Sequence, residues 1–383
     1  MTKKVAIAGV GYSGFRSVSP DVSYREMIFE AAVKAYMDAG VEPKDIDSFI
    51  TATEDFIEGY SIADEYTPDQ LGAVLKSVHT VTGDFIHALN VGCMMILTNA
   101  FNVVAIESHC KASNLVTPTE IVSFGLDPVL NRPLNETPYF VAGLDMNRYM
   151  YETGTTKEHC AKVVVKNKAN ALLNPYAAYG AKIEVSDVLD SQQVSYPLNK
   201  LDISPHADGA VVVVLASDEV VNSLTNKPVW IKGMGWCNDA PSLETREWGD
   251  AVYARLSAEM AYKMAKISCP RKEIDFVEIN DEFSYKELQH LEALKLCQKG
   301  EAKDLINTGC TSINGCLPVN PSGGSLGVGH LFEASGAQKV LELVLQIRGT
   351  AGERQIKNAN TGLALAWRGI PSTSGAVVIL GKE

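Results

Sequence analysis

Two residues far apart in the chain have the chemistry of a nucleophile and its base. Cys93 follows Gly92 where a run read as a strand, Asp84 to Asn90, passes into an apolar stretch read as a buried helix, Cys93 to Cys110. This places the thiol at or near the first turn of that helix. Unpaired N–H groups and the helix dipole there favour the thiolate, the form that attacks carbonyl carbon. His330 ends the glycine-rich run Asn320-Pro321-Ser322-Gly323-Gly324-Ser325-Leu326-Gly327-Val328-Gly329-His330, which delivers it to the start of the next helix. A histidine beside a thiol takes its proton or holds it as an ion pair. Asn280 closes a strand predicted over Asp275 to Asn280. That is the sheet edge where α/β sites gather, and its amide can donate to a developing oxyanion. Each residue also has a plainer role open to it. Cys93 can be an inert apolar side chain, His330 a satisfied core residue and Asn280 a turn residue.

The elements that must position these residues come in two copies. Val5-Ala6-Ile7-Ala8-Gly9-Val10-Gly11-Tyr12 is echoed by Val229-Trp230-Ile231-Lys232-Gly233-Met234-Gly235-Trp236. Pro43 to Asp47 returns near Pro270 to Asp275, and Gly209-Ala210-Val211-Val212 returns as Gly375-Ala376-Val377-Val378. The order is kept and the copies are too far apart for a solenoid, so two similar α/β units are expected, with the site where they meet. Helices are predicted over Ser23 to Ala39, near Tyr253 to Ile267 and from about Leu331 to Arg348, the last stopped by Gly349. A repeat relation between the Cys93 helix and the helix after His330 would set those two residues at facing helix ends. The first half is the longer. Its surplus gives the division 1–117 with 201–220 for one half, 118–200 for an inserted loop domain, and 221–383 for the other half.

Gly9-Val10-Gly11-Tyr12-Ser13-Gly14 spells a dinucleotide fingerprint, but that motif needs a helix to begin at once. Phe15 to Pro20 is polar and aperiodic, and the second copy lacks the third glycine, so a tight strand-to-loop turn is the reading. With 383 residues, 46% hydrophobic content and a net charge of −12, the chain can build two cores and is a poor partner for nucleic acid or anionic membranes. No apolar run spans a bilayer and no secretory signal precedes Val5, so a cytoplasmic location is expected. Eight cysteines without a CxxC pair argue against zinc and against a disulfide framework.

At these residues the chain resembles the thiolase superfamily of coenzyme A-dependent Claisen enzymes, most of all its sterol-carrier-protein-type and archaeal-type branch. The likeness rests on Gly92-Cys93, on Glu278-Ile279-Asn280-Asp281-Glu282-Phe283, and on the loop ending in His330. It rests also on the stretch from Ala161-Lys162-Val163-Val164-Val165-Lys166 through Asn174-Pro175-Tyr176-Ala177, and on Asp208-Gly209-Ala210. It implies α/β halves of βαβαβαββ type in a five-layer α-β-α-β-α arrangement with a loop domain. It also implies Cys93 as the acylated nucleophile, His330 as its base and Asn280 as an oxyanion donor. The implied reaction is thiolytic cleavage of a 3-oxoacyl-CoA or the reverse condensation, with CoA as co-substrate, no permanently bound cofactor and no metal. A bulky or aromatic substrate such as benzoylsuccinyl-CoA is a possibility within the branch. So are a homodimer through the N-terminal halves and a small zinc-finger/OB-fold partner. The chain departs from the pattern in its second acid. No cysteine follows at Gly369-Ile370-Pro371, and Glu282 stands where sterol-carrier-type relatives have one, leaving Glu282, Cys310 and Cys316 as candidates. A catalytically weak acyl-CoA-binding scaffold and a ketoacyl-synthase-like condensing enzyme are the alternatives.

Overall fold

A computed structural model describes residues 3–54, 62–240, 242–369 and 373–383. In the first half β1 (Val5–Tyr12) leads to α1 (Tyr24–Ala39), β2 (Ser48–Ala52), β3 (Ser77–Val81), α2 (Phe85–Leu97) and β4 (Val103–Lys111). Residues 118–200 follow, carrying α3 (Pro138–Thr153) and α4 (Lys157–Ala171), before β5 (Asp208–Ser217) closes the half. The second half runs β6 (Val229–Asn238), α5 (Val252–Ala265), β7 (Phe276–Ile279), α6 (Ser284–Ala293), α7 (Ser335–Arg348), β8 (Thr361–Trp367) and β9 (Ser374–Gly381).

The strands form one nine-stranded sheet in the order β3-β2-β4-β5-β1-β6-β9-β8-β7. Its midpoint is the short antiparallel pairing of Ala6 with Trp230 and Ile7 with Val229. On either side the pattern repeats. β1 with β5 and β6 with β9 are antiparallel, β5 with β4 and β9 with β8 are antiparallel, and β4 with β2 and β8 with β7 are parallel. α2 and α7 lie in a shared core with residues from both half-sheets, whereas α1 covers the outer face of one and α5 that of the other. The chain has the duplicated, layered α/β fold expected of it. Among the described residues, no helix is long and apolar enough to cross a membrane.

The paired Gly-x-Gly runs are packing devices. A Cβ on Gly9 would stand 2.4 Å from the Ala35 carbonyl oxygen, and one on Gly11 would stand 2.1 Å from that of Ala31. In the second half Gly233 meets the Ala261 carbonyl oxygen at 2.2 Å and Gly235 that of Ser257 at 2.2 Å. In each half these glycines let the outer helix lie directly on the strand. No helix opens at Gly14, consistent with the turn reading.

Two predicted elements are wrong in type. Asp84 to Asn90 is not a strand: Asp84 is the N-cap of α2, its side chain accepting from the Ile86 N–H. Nor does a helix run from Cys93 to Cys110, because α2 ends at Leu97 and Val103–Lys111 is a fully buried strand. Both stretches are mostly apolar and hold many of their polar residues buried, so periodicity separates strand from helix poorly here.

Candidate active site

The loop that carries His330 is shaped by buried polar groups. Asp281, just past β7, accepts from the backbone N–H groups of Ser325 and Leu326 and from the Asn167 amide of α4. A Cβ on Gly324 would lie 2.2 Å from the Asp281 carboxylate, so the glycine there makes room for the bond pattern. Glu278 holds Ser322 through the backbone N–H at 2.9 Å and the hydroxyl at 2.8 Å. From the inserted segment, Asn170 donates to the Asn320 carbonyl and Asn174 to that of Ser322. The stretches that looked family-like in sequence thus clamp one loop. His330 emerges five residues ahead of α7, its backbone N–H bonded to the Pro205 carbonyl at 2.7 Å.

That loop brings His330 to the wall of a cleft. Its walls include Asp84, Tyr139, His206, Glu282, His330, Phe332 and Arg368. The inserted segment adds Pro118, Thr119, Val122, Pro138 and Tyr139. His206 stacks on Phe332 with ring centroids 4.7 Å apart and lies 5.6 Å from His330. The Nδ1 atoms of His206 and His330 are both buried without a partner. Burial, then the nearby His206 and Lys339, holds the His330 pKa well below its ordinary value, and burial lowers that of His206. Both imidazoles are therefore neutral near pH 7 and able to donate or accept. Glu282 has a buried Oε2 without a hydrogen bond, and burial raises its pKa to about 8 against the opposing charge of Lys286. It is a carboxylic acid at neutral pH, the form that gives a proton. Arg368 pairs with Glu54, and burial lowers its pKa to about 10.

Asp84 was not singled out from the sequence. Its Oδ1 accepts from the Ile86 N–H at 3.0 Å and its Oδ2 from the Gly336 N–H at 2.9 Å. The N-termini of α2 and α7 therefore converge on one carboxylate. The signal was there, since an Asp directly before an apolar run is a helix-start pattern, but reading that run as a strand hid it. His206, Tyr139 and Arg368 had no sequence signal, because separate elements bring them to the cleft.

The expected thiol is elsewhere. Cys93 is roughly two turns into α2, 1% exposed, within the central core and outside the cleft lining. Burial pushes its pKa up to about 12. Among the described residues that line the cleft there is no cysteine. Asn280 is fully buried behind the wall: its Nδ2 donates to the Trp367 carbonyl at 3.2 Å and its Oδ1 accepts from the Glu282 N–H at 2.9 Å. It braces the Glu282 backbone. Cys310 and Cys316 are joined in a disulfide beside Arg271, against the expectation of free thiols, and supply no proton to the cleft. Gly369 lines the cleft, while Ile370 and Pro371 fall outside the described residues.

Comparison with known proteins agrees with this architecture. Residues 239–382 match the family model of a thiolase C-terminal domain-like region. Acetyl-CoA acetyltransferase of Methanothermobacter thermautotrophicus is 32% identical over 98% of each chain. Benzoylsuccinyl-CoA thiolase subunit BbsB of Thauera aromatica is 35% identical over 55% of this chain and 54% of its own. Among solved structures, one titled Ltp2-ChsH2(DUF35) aldolase matches 99% of this chain and 97% of its own, with TM-score 0.85 and 26% identity. The chain belongs to the thiolase superfamily. It is an enzyme of the thiolase type, in a superfamily of acyltransferases.

Proposed function

We propose that this thiolase-type enzyme makes or breaks the bond between the α and β carbons of a CoA thioester by acid–base chemistry, with no acyl intermediate on Cys93. The observation that carries this reading is the cleft wall, which joins two neutral imidazoles to a protonated carboxylic acid and contains no described thiol. Breaking the Cα–Cβ bond leaves its electron pair on the α carbon as a thioester enolate. Donors at His206 and His330 would hold the enolate oxygen, and Glu282 would return a proton to the α carbon. Tyr139 and the inserted segment would enclose the acyl group.

Two reactions share this step. In acyl transfer the substrate is a 3-oxoacyl-CoA and the β carbonyl carbon passes to CoA, as the names of the acetyltransferase relatives suggest. In aldol cleavage the substrate carries a β hydroxyl and leaves as an aldehyde or ketone. The absence of a cysteine among the described residues that line the cleft, and the solved aldolase relative, favour that second reaction. A bulky acyl group fits the likeness to the benzoylsuccinyl-CoA subunit. A homodimer through the first half has an available edge in β3, whose side chains are half-buried or exposed. A small partner subunit is part of the proposal, in keeping with the two-protein title of the aldolase.

Intact-protein mass spectrometry after exposure to acyl-CoA and 3-oxoacyl-CoA tests the central claim. No adduct on the Cys93 peptide during turnover is expected; a stoichiometric acyl adduct there would overturn it. Size-exclusion chromatography with light scattering checks the assembly, where a monomer with full activity removes both the dimer and the partner.

A further inference from the structure

We infer that Asp84 is a catalytic base of this cleft and that it acts on the β-hydroxyl of a 3-hydroxyacyl thioester. This deepens the acid–base reading above and rests on it. The carboxylate is 2% exposed yet lines the cleft, and its two oxygens are bound by backbone N–H groups from different helices. One belongs to α2 of the first half and the other to α7 of the second. Gly336 is shaped to this carboxylate, because a Cβ on it would lie 1.8 Å from Oδ1. Two helix N-termini directed at one point stabilise negative charge there. In this chain the charge is supplied by a fixed side chain.

A carboxylate pinned by both oxygens is poorly placed to form a bond to carbon. Each oxygen still has a lone pair for a proton. What a base at this point can do to the β carbon is withdraw the proton of an oxygen attached to it. Burial raises the Asp84 pKa to about 7, against the N–H groups of Ile86 and Gly336 and the charge of Lys339. Proton uptake and return near neutral pH are therefore both accessible.

The step balances without oxidant, water or a second nucleophile. Asp84 takes the β-hydroxyl proton, and the O–H electron pair becomes the new C=O bond. The Cα–Cβ bond breaks and its pair passes to the α carbon as the thioester enolate. Glu282 gives its proton to that carbon. The products are an aldehyde or ketone and the shortened acyl-CoA, and the proton held by Asp84 returns to Glu282 through solvent.

The test uses the purified protein, alone and with any subunit that co-purifies with it, and a panel of aliphatic and aryl 3-hydroxyacyl-CoA thioesters beside the matching 3-oxoacyl-CoA thioesters with free CoA. Carbonyl product is trapped with a hydrazine, and CoA products are resolved by chromatography. Carbonyl and shortened acyl-CoA are expected in equal amounts, at a rate that rises with pH through about 7. Asp84→Asn should lower that rate by roughly 10²-fold or more and flatten the rising limb. Asp84→Gly should be partly restored by added formate. Wild-type melting temperatures would show that the variants fold, and formate rescue keeps the test decisive if they are weakened. Unchanged turnover or pH profile in Asp84→Asn overturns the inference, as does failure to cleave any member of the 3-hydroxyacyl panel. Turnover of 3-oxoacyl-CoA alone, with no adduct on Cys93, would sink this inference and leave the acid–base function standing. An acyl adduct on Cys93 would sink both.

Discussion

The two central helices occupy equivalent places in the duplicated fold, yet they bring different chemistry to the cleft. α2 meets it through its own N-cap, with no loop between: Asp84 caps the helix and lines the wall at once. α7 meets it through a long approach, in which Glu278 and Asp281 hold a glycine-rich loop and His330 projects ahead of the helix. One helix contributes a carboxylate and the other an imidazole, and the Gly336 N–H ties the second helix to the carboxylate of the first. Duplication supplies two converging helix ends. What stands in front of each end differs.

The strongest way to break this comparison is to remove the group delivered by the long loop. His330→Ala is expected to lower turnover by roughly 10²- to 10⁴-fold, the usual range for a positioned acid–base group, while the fold survives. Steady-state kinetics beside a thermal melt checks this. Near-normal turnover in a folded variant would mean that the loop serves only packing.

Glu282→Gln comes next, with an expected loss of roughly 10²-fold. Because the acid is needed protonated, wild-type activity should fall as pH rises through about 8. The stability sign is equally checkable. The folded pKa lies above its ordinary value of 4.5, so between about 4.5 and 8 the folded state binds more protons than the unfolded state. This group's contribution therefore favours folding at the acid end of that window and is lost as pH rises through it. Glu282→Gln should remove that part of the slope of stability against pH. A denaturant series at several pH values reads it out, and an unchanged slope would place Glu282 in water rather than in the wall.

How far the sequence carried follows from these residues. His330 was legible because a glycine-rich loop is a local pattern, and Glu282 because the resemblance put it where sterol-carrier-type relatives have a cysteine; the chain brings both to the cleft. The repeat was legible because the Gly-x-Gly runs answer a local demand, a helix lying on a strand. Asp84 and Cys93 were misplaced together by one cause. The segment around them is mostly apolar, periodicity separates strand from helix poorly there, and moving the helix start changes which residue faces the site. His206, Arg368 and Tyr139 come from three separate stretches, and only tertiary packing joins them.

A smaller effect compares the outer helices of the two halves. Gly9→Ala and Gly233→Ala each put a Cβ within 2.4 Å and 2.2 Å of a helix carbonyl oxygen, at Ala35 and Ala261 respectively. Each should destabilise the fold by about 1–3 kcal/mol through overpacking, and by similar amounts if the halves are mechanically alike. Chemical denaturation of the two variants measures this. A large cost in one and none in the other would show that the halves do not share their packing.

The smallest effect on catalysis is expected at the residue that looked most chemical in the sequence. Cys93 lies within the central core, with Ile86, Leu89 and Ile96 of its own helix buried beside it in the same cluster. With its pKa pushed up to about 12, hardly any thiolate exists near pH 7. Cys93→Ser should therefore leave turnover within about twofold. It should cost roughly 1–3 kcal/mol of stability, the usual penalty for burying a hydroxyl without a full set of partners. Iodoacetamide should label Cys93 in denaturant and not in the native protein. Cys93→Ala offers the cleaner contrast, since it removes the thiol without adding a polar atom. If Cys93→Ala folds and turnover falls by orders of magnitude, the thiol reaches the substrate after all. Catalysis would then require α2 to unwind its first two turns, and the carboxylate now held between the two helices would have to leave that place.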